Sequence, residues 1–202
     1  MESITYARIT PDNFSPTSLD SFIRRQEVRE CWRKADGQWR LLPIAYVEDW
    51  DLEERRSAAQ AVLRGVCSGG PAYGAWADGR VVGFALLAGE LSGSAAQYLD
   101  LAEFYVSLPF RGHGVGGTLF RLACRGARER GASRLYISAH SARETIAAYH
   151  ALGCVEAVEI NWALAKKEPC DVQLEYPLQH SRIPPSLCQI HQKELSSFGD
   201  SV

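Results

Sequence analysis

A glycine-rich segment near the middle of the chain has the composition of an anion-binding loop. Gly112, Gly114, Gly116 and Gly117 follow an apolar run and open a stretch with helical periodicity, 115–130. Glycine lets the backbone approach a ligand because no Cβ stands in the way. The first N–H groups of a helix lack partners within it, and the helix dipole favours negative charge there. The spacing therefore predicts a site for a phosphate-bearing ligand, the alternative being a tight turn without one.

Two common phosphate-binding patterns fit this loop poorly. Gly112, Gly114 and Gly117 satisfy the G-x-G-x-x-G fingerprint of dinucleotide-binding proteins. That fingerprint usually has an acidic residue about 20 residues later, whereas the next predicted strand ends at Ala139-His140. The lysine that nucleoside triphosphate loops place before Thr118 is also missing. The loop alone does not identify its ligand.

The loop joins two elements of an alternating series. Residues 98–107 are apolar on both faces apart from two acids, which is typical of a central strand. The helix 115–130 carries its apolar side chains on one stripe. The other predicted elements are a hairpin of strands 72–77 and 80–91 around Asp78-Gly79, a strand 133–139, a helix 141–152 and strands 155–164 and 172–178. This order predicts an α/β (α+β) fold with a mixed sheet and at least one parallel crossover.

The N-terminal region is expected to be mostly helical. Leu19, Phe22, Ile23 and Val28 have helical spacing, and a second helix is predicted over 51–66. We expect a single domain with a tail. The domain consists of an N-terminal helical region (residues 1–70), a ligand-binding core (residues 71–154) and C-terminal strands (residues 155–178), and a loosely attached tail follows (residues 179–202).

Composition and charge argue against several classes of function. The formal net charge is −2 and no long basic run occurs, so nucleic acid is not an expected partner. No apolar stretch reaches the ~18 residues of a membrane span. The start, Met1–Ile4, is neither basic nor apolar, so we expect no secretory signal and a cytoplasmic location. The six cysteines form no close pair, which predicts reduced thiols and no metal site.

Two motifs resemble those of the GNAT acetyltransferases. The segment 111–116, Arg-Gly-His-Gly-Val-Gly, is similar to the family's Arg/Gln-x-x-Gly-x-Gly/Ala loop, which wraps the pyrophosphate of acetyl-CoA. The segment 146–154 is similar to the family helix that typically reads Phe-Tyr-x-x-x-Gly-Phe, and the two motifs stand at the usual separation. The chain departs from the pattern at Ala148 and Cys154, and near Ala142, where the family often has Asn.

The resemblance implies both a fold and an activity. The fold is the GNAT acyltransferase fold, a central, mostly antiparallel mixed sheet flanked by helices. The activity is N-acetylation, in which a primary amine of a small molecule or peptide attacks acetyl-CoA directly within a ternary complex. The residues expected to bind acetyl-CoA are Phe104, Tyr105, Val106, Arg111, Gly112, His113, Gly114, Val115, Gly116, Gly117 and Ser141.

Three side chains are candidates for the general base. An alkyl amine with a pKa of about 10 must lose a proton before it attacks. Asp100 and Glu103 are expected to point to opposite faces of their strand, with Asp100 on the face of Phe104, in a position similar to that of the catalytic glutamate of histone-modifying GNAT members. His140 ends the next parallel strand, where ligand crevices occur. Each of the three can instead be structural, with ordered water carrying the proton.

Tyr149 is the candidate general acid. It lies one helical turn from Ile146 and Leu152, so its phenol is expected in the cleft between strands 98–107 and 133–139. A tyrosine with a pKa of about 10 can protonate a departing thiolate, whose own value is about 8.5. The alternative is a core aromatic residue with a satisfied hydroxyl.

Other functions remain open at this point. They are a catalytically degenerate module that binds CoA or a regulatory ligand, and a dinucleotide-dependent oxidoreductase. The sequence does not select the acceptor among polyamines, aminoglycosides, amino acids and protein N-termini. A homodimer is also possible.

Overall fold

The computed structural model describes residues 3–178. Its strands are β1 (Ile4–Arg8), β2 (Arg25–Ala35), β3 (Gln38–Asp49), β4 (Ala72–Ala77), β5 (Arg80–Ser92), β6 (Tyr98–Val106), β7 (Arg134–Ala139), β8 (Val155–Glu156) and β9 (Val172–Pro177). Its α-helices are α1 (Leu52–Cys67), α2 (Val115–Glu129), α3 (Arg143–Ala151) and α4 (Trp162–Lys167). The predicted tail, 179–202, lies outside the described residues.

Seven strands form one mixed sheet in the order β1-β4-β5-β6-β7-β9-β8. Within residues 3–178, β6 and β7 are the only parallel neighbours, and α2 makes the crossover between them. The other paired strands run antiparallel. The expected mixed, mostly antiparallel sheet flanked by helices is confirmed.

Helices cover both faces of this sheet. Helix α1 packs on β4 and β5 through Ala59 and Val62, and Asp51 caps its start in a capping box with Glu54. Helix α2 buries its apolar stripe on the opposite face against β4, β5, β6 and β7. Ile146 of α3 joins that second cluster. The sheet is therefore buried on both sides in its centre, as the apolar character of 98–107 predicted.

The pairing of β6 with β7 ends early. It consists of the pairs Tyr98–Arg134, Leu99–Leu135 and Asp100–Tyr136, and none beyond. Strand β6 nevertheless stays paired with β5 as far as Val106, and β7 stays paired with β9 as far as Ala139. A gap therefore opens in the middle of the sheet, between the C-terminal halves of β6 and β7.

A bulge interrupts β6 where the gap begins. Leu87 pairs with Leu101, but the next residue back along β5, Leu86, pairs with Glu103. Ala102 is thus an extra residue on β6. A bulge of this kind reverses the alternation of side chains along its strand.

The reversal corrects the predicted orientation of the two acids. Leu101 and, past the bulge, Phe104 and Val106 all pack in the cluster on the α2 face. Asp100 and Glu103 therefore share the other face of β6. The expectation that they point opposite ways, with Asp100 beside Phe104, was wrong because it assumed an unbroken strand.

The helical N-terminal region was a second wrong prediction. Strands β2 and β3 form a separate two-stranded sheet around Asp36-Gly37, whose φ angles of 53° and 76° suit a tight hairpin turn. Leu19 and Phe22 lie in turns, and both are buried in the apolar cluster between α1 and the sheet. Apolar residues spaced three or four positions apart occur in successive turns as well as in helices. The spacing of Leu19 and Phe22 therefore could not distinguish turns from a helix. The predicted helix 51–66 is confirmed as α1.

The predicted strand 155–164 was also wrong beyond its first two residues. Only β8 pairs with β9. Asn161 then accepts hydrogen bonds from the backbone N–H groups of Ala163 and Leu164, and this cap starts α4.

The hairpin of β2 and β3 packs across the start of α3. The backbone N–H of Trp32 donates to the carbonyl of Ser141 at 2.8 Å, and Cys31 forms a bridge pair with Ala142. The hairpin therefore lies beside the end of β7, next to the gap. The five cysteines among the described residues are unpaired: Cys31, Cys67, Cys124, Cys154 and Cys170. No helix within residues 3–178 is long and apolar enough to cross a membrane.

Candidate active site

A cavity of about 810 Å³ occupies the gap between β6 and β7. Its walls come from the ends of β6 and β7, the glycine loop, α3 and the residues around the start of β2. The lining residues are Arg24, Arg25, Gln26, Glu27, Leu101, Ala102, Phe104, Tyr105, Val106, Leu108, Arg111, Gly112, Gly116, Gly117, Ser138, Ala139, His140, Glu144, Thr145, Ala148, Tyr149, Ala151 and Leu152.

The glycine loop has the geometry of an anion site. Gly112 and Gly114 have φ angles of 76° and 81°, and a Cβ at either would meet no atom within 4 Å. Gly114 is the N-cap of α2 and offers no side-chain cap. The first α2 hydrogen bond runs from Thr118 N–H to the Gly114 carbonyl, so the N–H groups of residues 115–117 lack helical partners. These donors and the open space above the glycines suit a pyrophosphate.

Arg111 contacts the protein backbone. Its Nε donates to the carbonyl of Val106 and its Nη1 to the carbonyl of Arg25, both at 2.9 Å. Burial, and then the charge of Arg24, lower the pKa of Arg111. The side chain thus ties the end of β6 to the start of β2. Its loop neighbour His113 is exposed, with ring Nδ1 2.8 Å from the Arg111 carbonyl.

Three predicted binding residues form the β6 side of the cavity. Phe104, Tyr105 and Val106 all line it. Ser107 N–H donates to Val82 on β5 at 2.9 Å. Because successive N–H groups of a strand alternate in direction, the N–H of Val106 points to the opposite edge, into the gap.

Ser141 does not line the cavity. It is 2% exposed, and its Oγ accepts a hydrogen bond from Arg33 at 2.5 Å. Together with the bond from Trp32 to its carbonyl, this contact holds the hairpin against α3. The structure thus gives Ser141 partners within the protein.

Tyr149 lines the cavity from α3, at the place expected. Its ring centroid is 6.1 Å from that of Phe104. No side chain or carbonyl within residues 3–178 hydrogen-bonds its hydroxyl. Burial, followed by the neighbouring Tyr105, Cys154, Asp171 and Glu103, strongly raises the pKa of Tyr149. The phenol therefore stays protonated and is free to donate to a ligand.

The candidate bases occupy different surroundings. Asp100 accepts hydrogen bonds from Ser92 Oγ at 2.8 Å and Asn161 Nδ2 at 3.3 Å, away from the cavity lining. Burial raises the pKa of Asp100, against these two bonds. Burial also raises the pKa of Glu103, with Lys167 opposing it. Glu103 does not itself line the cavity, but it raises the pKa of Tyr105 and Tyr149, which do.

Both ring nitrogens of His140 are engaged. The backbone N–H of Ala142 points at Nδ1 at 3.2 Å, so in the neutral ring the proton sits on Nε2. That Nε2 lies 2.6 Å from the Tyr46 hydroxyl and 3.5 Å from a Glu48 carboxylate oxygen. His140 lines the cavity, but it has no free lone pair with which to accept a proton.

Arg24, which lines the cavity, and several residues beside the cavity were missed by the sequence interpretation. Asp171 accepts a hydrogen bond from the cavity residue Ser138 at 3.0 Å, and burial raises the pKa of Asp171. Arg24, Tyr46 and Glu48 come from the two ends of the β2–β3 hairpin. The position of Asp171, directly before the last predicted strand, was a usable signal. The hairpin residues were missed because that region was predicted to be helical, although Asp36-Gly37 is a turn signal.

The model of the acetyltransferase (GNAT) family matches residues 26–154. The chain belongs to the GNAT acetyltransferase family. It is an acyltransferase, and GNAT acetyltransferases use acetyl-CoA as acetyl donor. The matched segment includes the bulged strand, the glycine loop and Tyr149. No curated protein matches the chain in sequence.

Solved structures of similar fold include several acetyltransferases. Nourseothricin acetyltransferase is 21% identical, with a TM-score of 0.65 over 87% of this chain and 99% of its own. A putative streptothricin acetyltransferase from Bacillus anthracis, in complex with acetyl coenzyme A, is 14% identical, with a TM-score of 0.60 over 86% and 96% of the two chains. A putative GNAT-family acetyltransferase from Desulfovibrio desulfuricans is 14% identical, with a TM-score of 0.56 over 88% and 100%.

Proposed function

We propose that this GNAT protein transfers acetyl from acetyl-CoA to a primary amine by direct attack in a ternary complex. The observation that carries the proposal is the gap between β6 and β7. It lies in the middle of the sheet, it begins at a bulge, and it leads to an uncapped helix start. A long ligand with a phosphate end and a thioester end fits such a passage.

The chain's own groups suit each portion of acetyl-CoA. The N–H groups of residues 115–117 would hold the pyrophosphate at the start of α2. The gap-facing backbone of Phe104 and Val106 would align the pantetheine arm. The Val106 N–H is our candidate for the donor that stabilises the thioester oxygen as it gains negative charge during attack.

A buried carboxylate is our candidate for the proton acceptor. Glu103 lies just past the bulge and makes no hydrogen bond to another side chain within residues 3–178. Its charge acts on both Tyr105 and Tyr149. Asp171 is the competing candidate, since it influences the same two tyrosines. Asp100 and His140 are weaker candidates because their accepting atoms already have partners.

Tyr149 is our candidate for the group that helps protonate the departing CoA thiolate. When the amine nitrogen has bonded to the acetyl carbon, the C–S bond breaks and the sulfur takes its electron pair. A protonated phenol beside the sulfur donates a hydrogen bond to it and helps its protonation. The free hydroxyl and the raised pKa of Tyr149 support this role.

The acceptor is expected to be a small amine. The names of two similar structures refer to nourseothricin and streptothricin. The acidic groups Glu48, Glu103 and Asp171 near the cavity would attract a cationic amine. The identities of 21% and 14% do not carry a specific substrate across. The amine class is therefore as far as this proposal goes.

Two measurements test the proposed function. Acetyl-CoA should raise the melting temperature and NAD should not, because a ligand that binds only the folded state stabilises it, by about 2.7 kcal/mol at 100 Kd. Thiol release from acetyl-CoA should then depend on an amine drawn from a panel of polyamines, aminoglycosides, amino acids and peptides. Stabilisation without thiol release from any amine would support a degenerate CoA-binding module instead.

A further inference from the structure

Arg24 is a buried guanidinium at the edge of the cavity. Its side chain is 10% exposed, and its Nη2 donates to Glu48 Oε2 at 2.7 Å. Its Cζ lies 5.9 Å from the ring centroid of Trp50 and 5.3 Å from that of Tyr105. The ion pair and the two rings fix the plane of the guanidinium beside the cavity that it lines.

One nitrogen of this guanidinium lacks a partner. Within residues 3–178, Arg24 Nη1 is the only buried side-chain nitrogen or oxygen that makes no hydrogen bond. A charged donor that has lost water without gaining an acceptor is costly. Because the rest of the guanidinium is held in place, a ligand oxygen in the cavity can supply the missing acceptor.

The charges nearby favour an anionic oxygen. Arg111, the other guanidinium in this corner, donates to two neutral carbonyl groups, and the charge of Arg24 lowers its pKa. The buried Arg24 and the partly buried Arg111 thus have a single carboxylate, Glu48, as ion-pair partner. Arg25, next in the chain, is more exposed and already pairs with Glu27 and Asp49. One negative charge from a ligand would balance the buried corner.

We propose that Arg24 Nη1 binds a carboxylate of the acceptor, so that the substrate is an amine that also carries a carboxylate group, as amino acids do. This inference rests on the proposed function. Tyr105 lies beside both Arg24 and Glu103, since its ring contacts Arg24 and it follows Glu103 by two residues on the same face of β6. A carboxylate at Arg24 leaves the amine on the Glu103 side, where acetyl transfer is expected.

Matched pairs of amines test this inference. Each pair is an amino acid and its decarboxylated counterpart, such as L-lysine with cadaverine and L-phenylalanine with phenethylamine, assayed by thiol release from acetyl-CoA. The wild-type protein should favour the carboxylate-bearing member by about tenfold or more in kcat/KM. In Arg24→Gln that ratio should fall towards one through a higher KM, while the Kd for acetyl-CoA is unchanged.

Control variants separate recognition from folding. Arg24→Lys keeps the charge and can keep the Glu48 pair, and should retain some of the preference. The double variant Arg24→Gln/Glu48→Gln removes both members of the ion pair, so no unpaired charge is left. It should remain folded but show no preference for the carboxylate-bearing amine. Arg56→Gln removes a guanidinium that pairs with Asp20 outside the cavity lining, and should keep the wild-type ratio.

Three results would overturn the inference. If both members of every pair are acetylated with equal efficiency, the proposed function stands but the proposed carboxylate subsite at Arg24 is wrong. Weaker acetyl-CoA binding in Arg24→Gln, with the amine ratio unchanged, assigns Arg24 to the donor site. No thiol release with any amine contradicts the proposed function and, with it, the acceptor subsite.

Discussion

Burial changes the chemistry available to Tyr149. The sequence interpretation assumed a pKa of about 10 for this tyrosine, whereas the apolar surroundings and nearby carboxylates in the structure raise its pKa. A phenol with a raised pKa keeps its proton through the whole neutral range. In the proposed reaction it would therefore act first as a hydrogen-bond donor to the departing sulfur, and the proton would move as negative charge builds up there.

Replacement of Tyr149 by phenylalanine isolates this contribution. We expect Tyr149→Phe to melt and to bind acetyl-CoA as the wild type does, with kcat lower by about 10²-fold. The alkaline side of the pH–rate profile should keep its shape, because a raised pKa prevents Tyr149 from ionising there. Tyr176→Phe, in the α2-side cluster and outside the cavity lining, is the matched control. If Tyr149→Phe keeps the wild-type kcat, Tyr149 contributes only to packing and the proposed acid role is wrong.

The identity of the base should be visible on the acidic side of the same profile. A base works when deprotonated, so activity is lost as pH falls through its pKa, and burial raises the pKa of Glu103 and of Asp171. The loss should therefore begin at a higher pH than for an ordinary carboxylate. We expect Glu103→Gln to lower kcat/KM by about 10²-fold and to abolish this limb.

Parallel variants decide between the candidates. Asp171→Asn, Asp100→Asn and His140→Gln should each retain the acidic limb of the profile. Loss of the limb in Asp171→Asn would transfer the role to Asp171. Unchanged profiles in all four variants would leave ordered water as the proton carrier.

At the scale of the element, helix α2 offers an internal control for the binding loop. Gly114 and Gly131 stand at its two ends, with φ angles of 81° and 86° and no atom within 4 Å of a Cβ at either position. Valine at either site should therefore bring similar backbone strain and a similar fall in melting temperature. Only Gly114→Val should also weaken acetyl-CoA binding, by at least about tenfold, in an equilibrium titration. Equal affinity in the two variants would exclude the loop from the binding site.

Elements with strong local signals were predictable from the sequence. The hairpin around Asp78-Gly79, the helix α2 and the loop before it depend on turn residues, periodicity and glycine spacing that lie within a few positions of each other. The β2–β3 hairpin has an Asp-Gly turn as well, at Asp36-Gly37, but its strands lack the continuous apolar runs that flank Asp78-Gly79. Its apolar side chains pack against the residues after β7, more than 100 positions away, as the contact of Cys31 with Ala142 shows.

The β6 bulge marks the limit of pattern-based prediction for the site. The sequence 98–107 reads as an unbroken strand, and only the pairing with β5 reveals Ala102 as an extra residue. Faces assigned by simple alternation were therefore wrong for Asp100 relative to Phe104. The loop and Tyr149 were placed in the cavity from sequence, but the acidic side chains beside them could not be oriented without their neighbours.

At the scale of the whole molecule, the site is formed by segments that meet only in the folded sheet. Arg24 precedes β2, Glu103 follows the bulge, Tyr149 lies on α3 and Asp171 precedes β9. The sheet holds β6 and β7 apart because each remains paired on its outer side. Within residues 3–178, the gap leaves backbone groups of β6 and β7 without strand partners. A ligand that pairs with these groups would also stabilise the sheet.

The two partly buried acids proposed as candidate bases are expected to reduce the stability of the fold. For a carboxyl whose pKa is raised on folding, the folded state binds the proton more tightly than the unfolded state does. Stability is therefore lost as pH rises from the unfolded pKa through the folded one, and there is no penalty below both. Glu103 and Asp171 are such groups.

At neutral pH, Glu103→Gln and Asp171→Asn should each stabilise the fold by about 0.5–2 kcal/mol, measured as the midpoint of denaturant unfolding. The gain should vanish below about pH 3, where the wild-type carboxyls are protonated in both states, and the exposed Glu90→Gln should show no change at either pH. A stabilisation that persists unchanged into acid would trace the effect to packing and not to the cost of a buried charge.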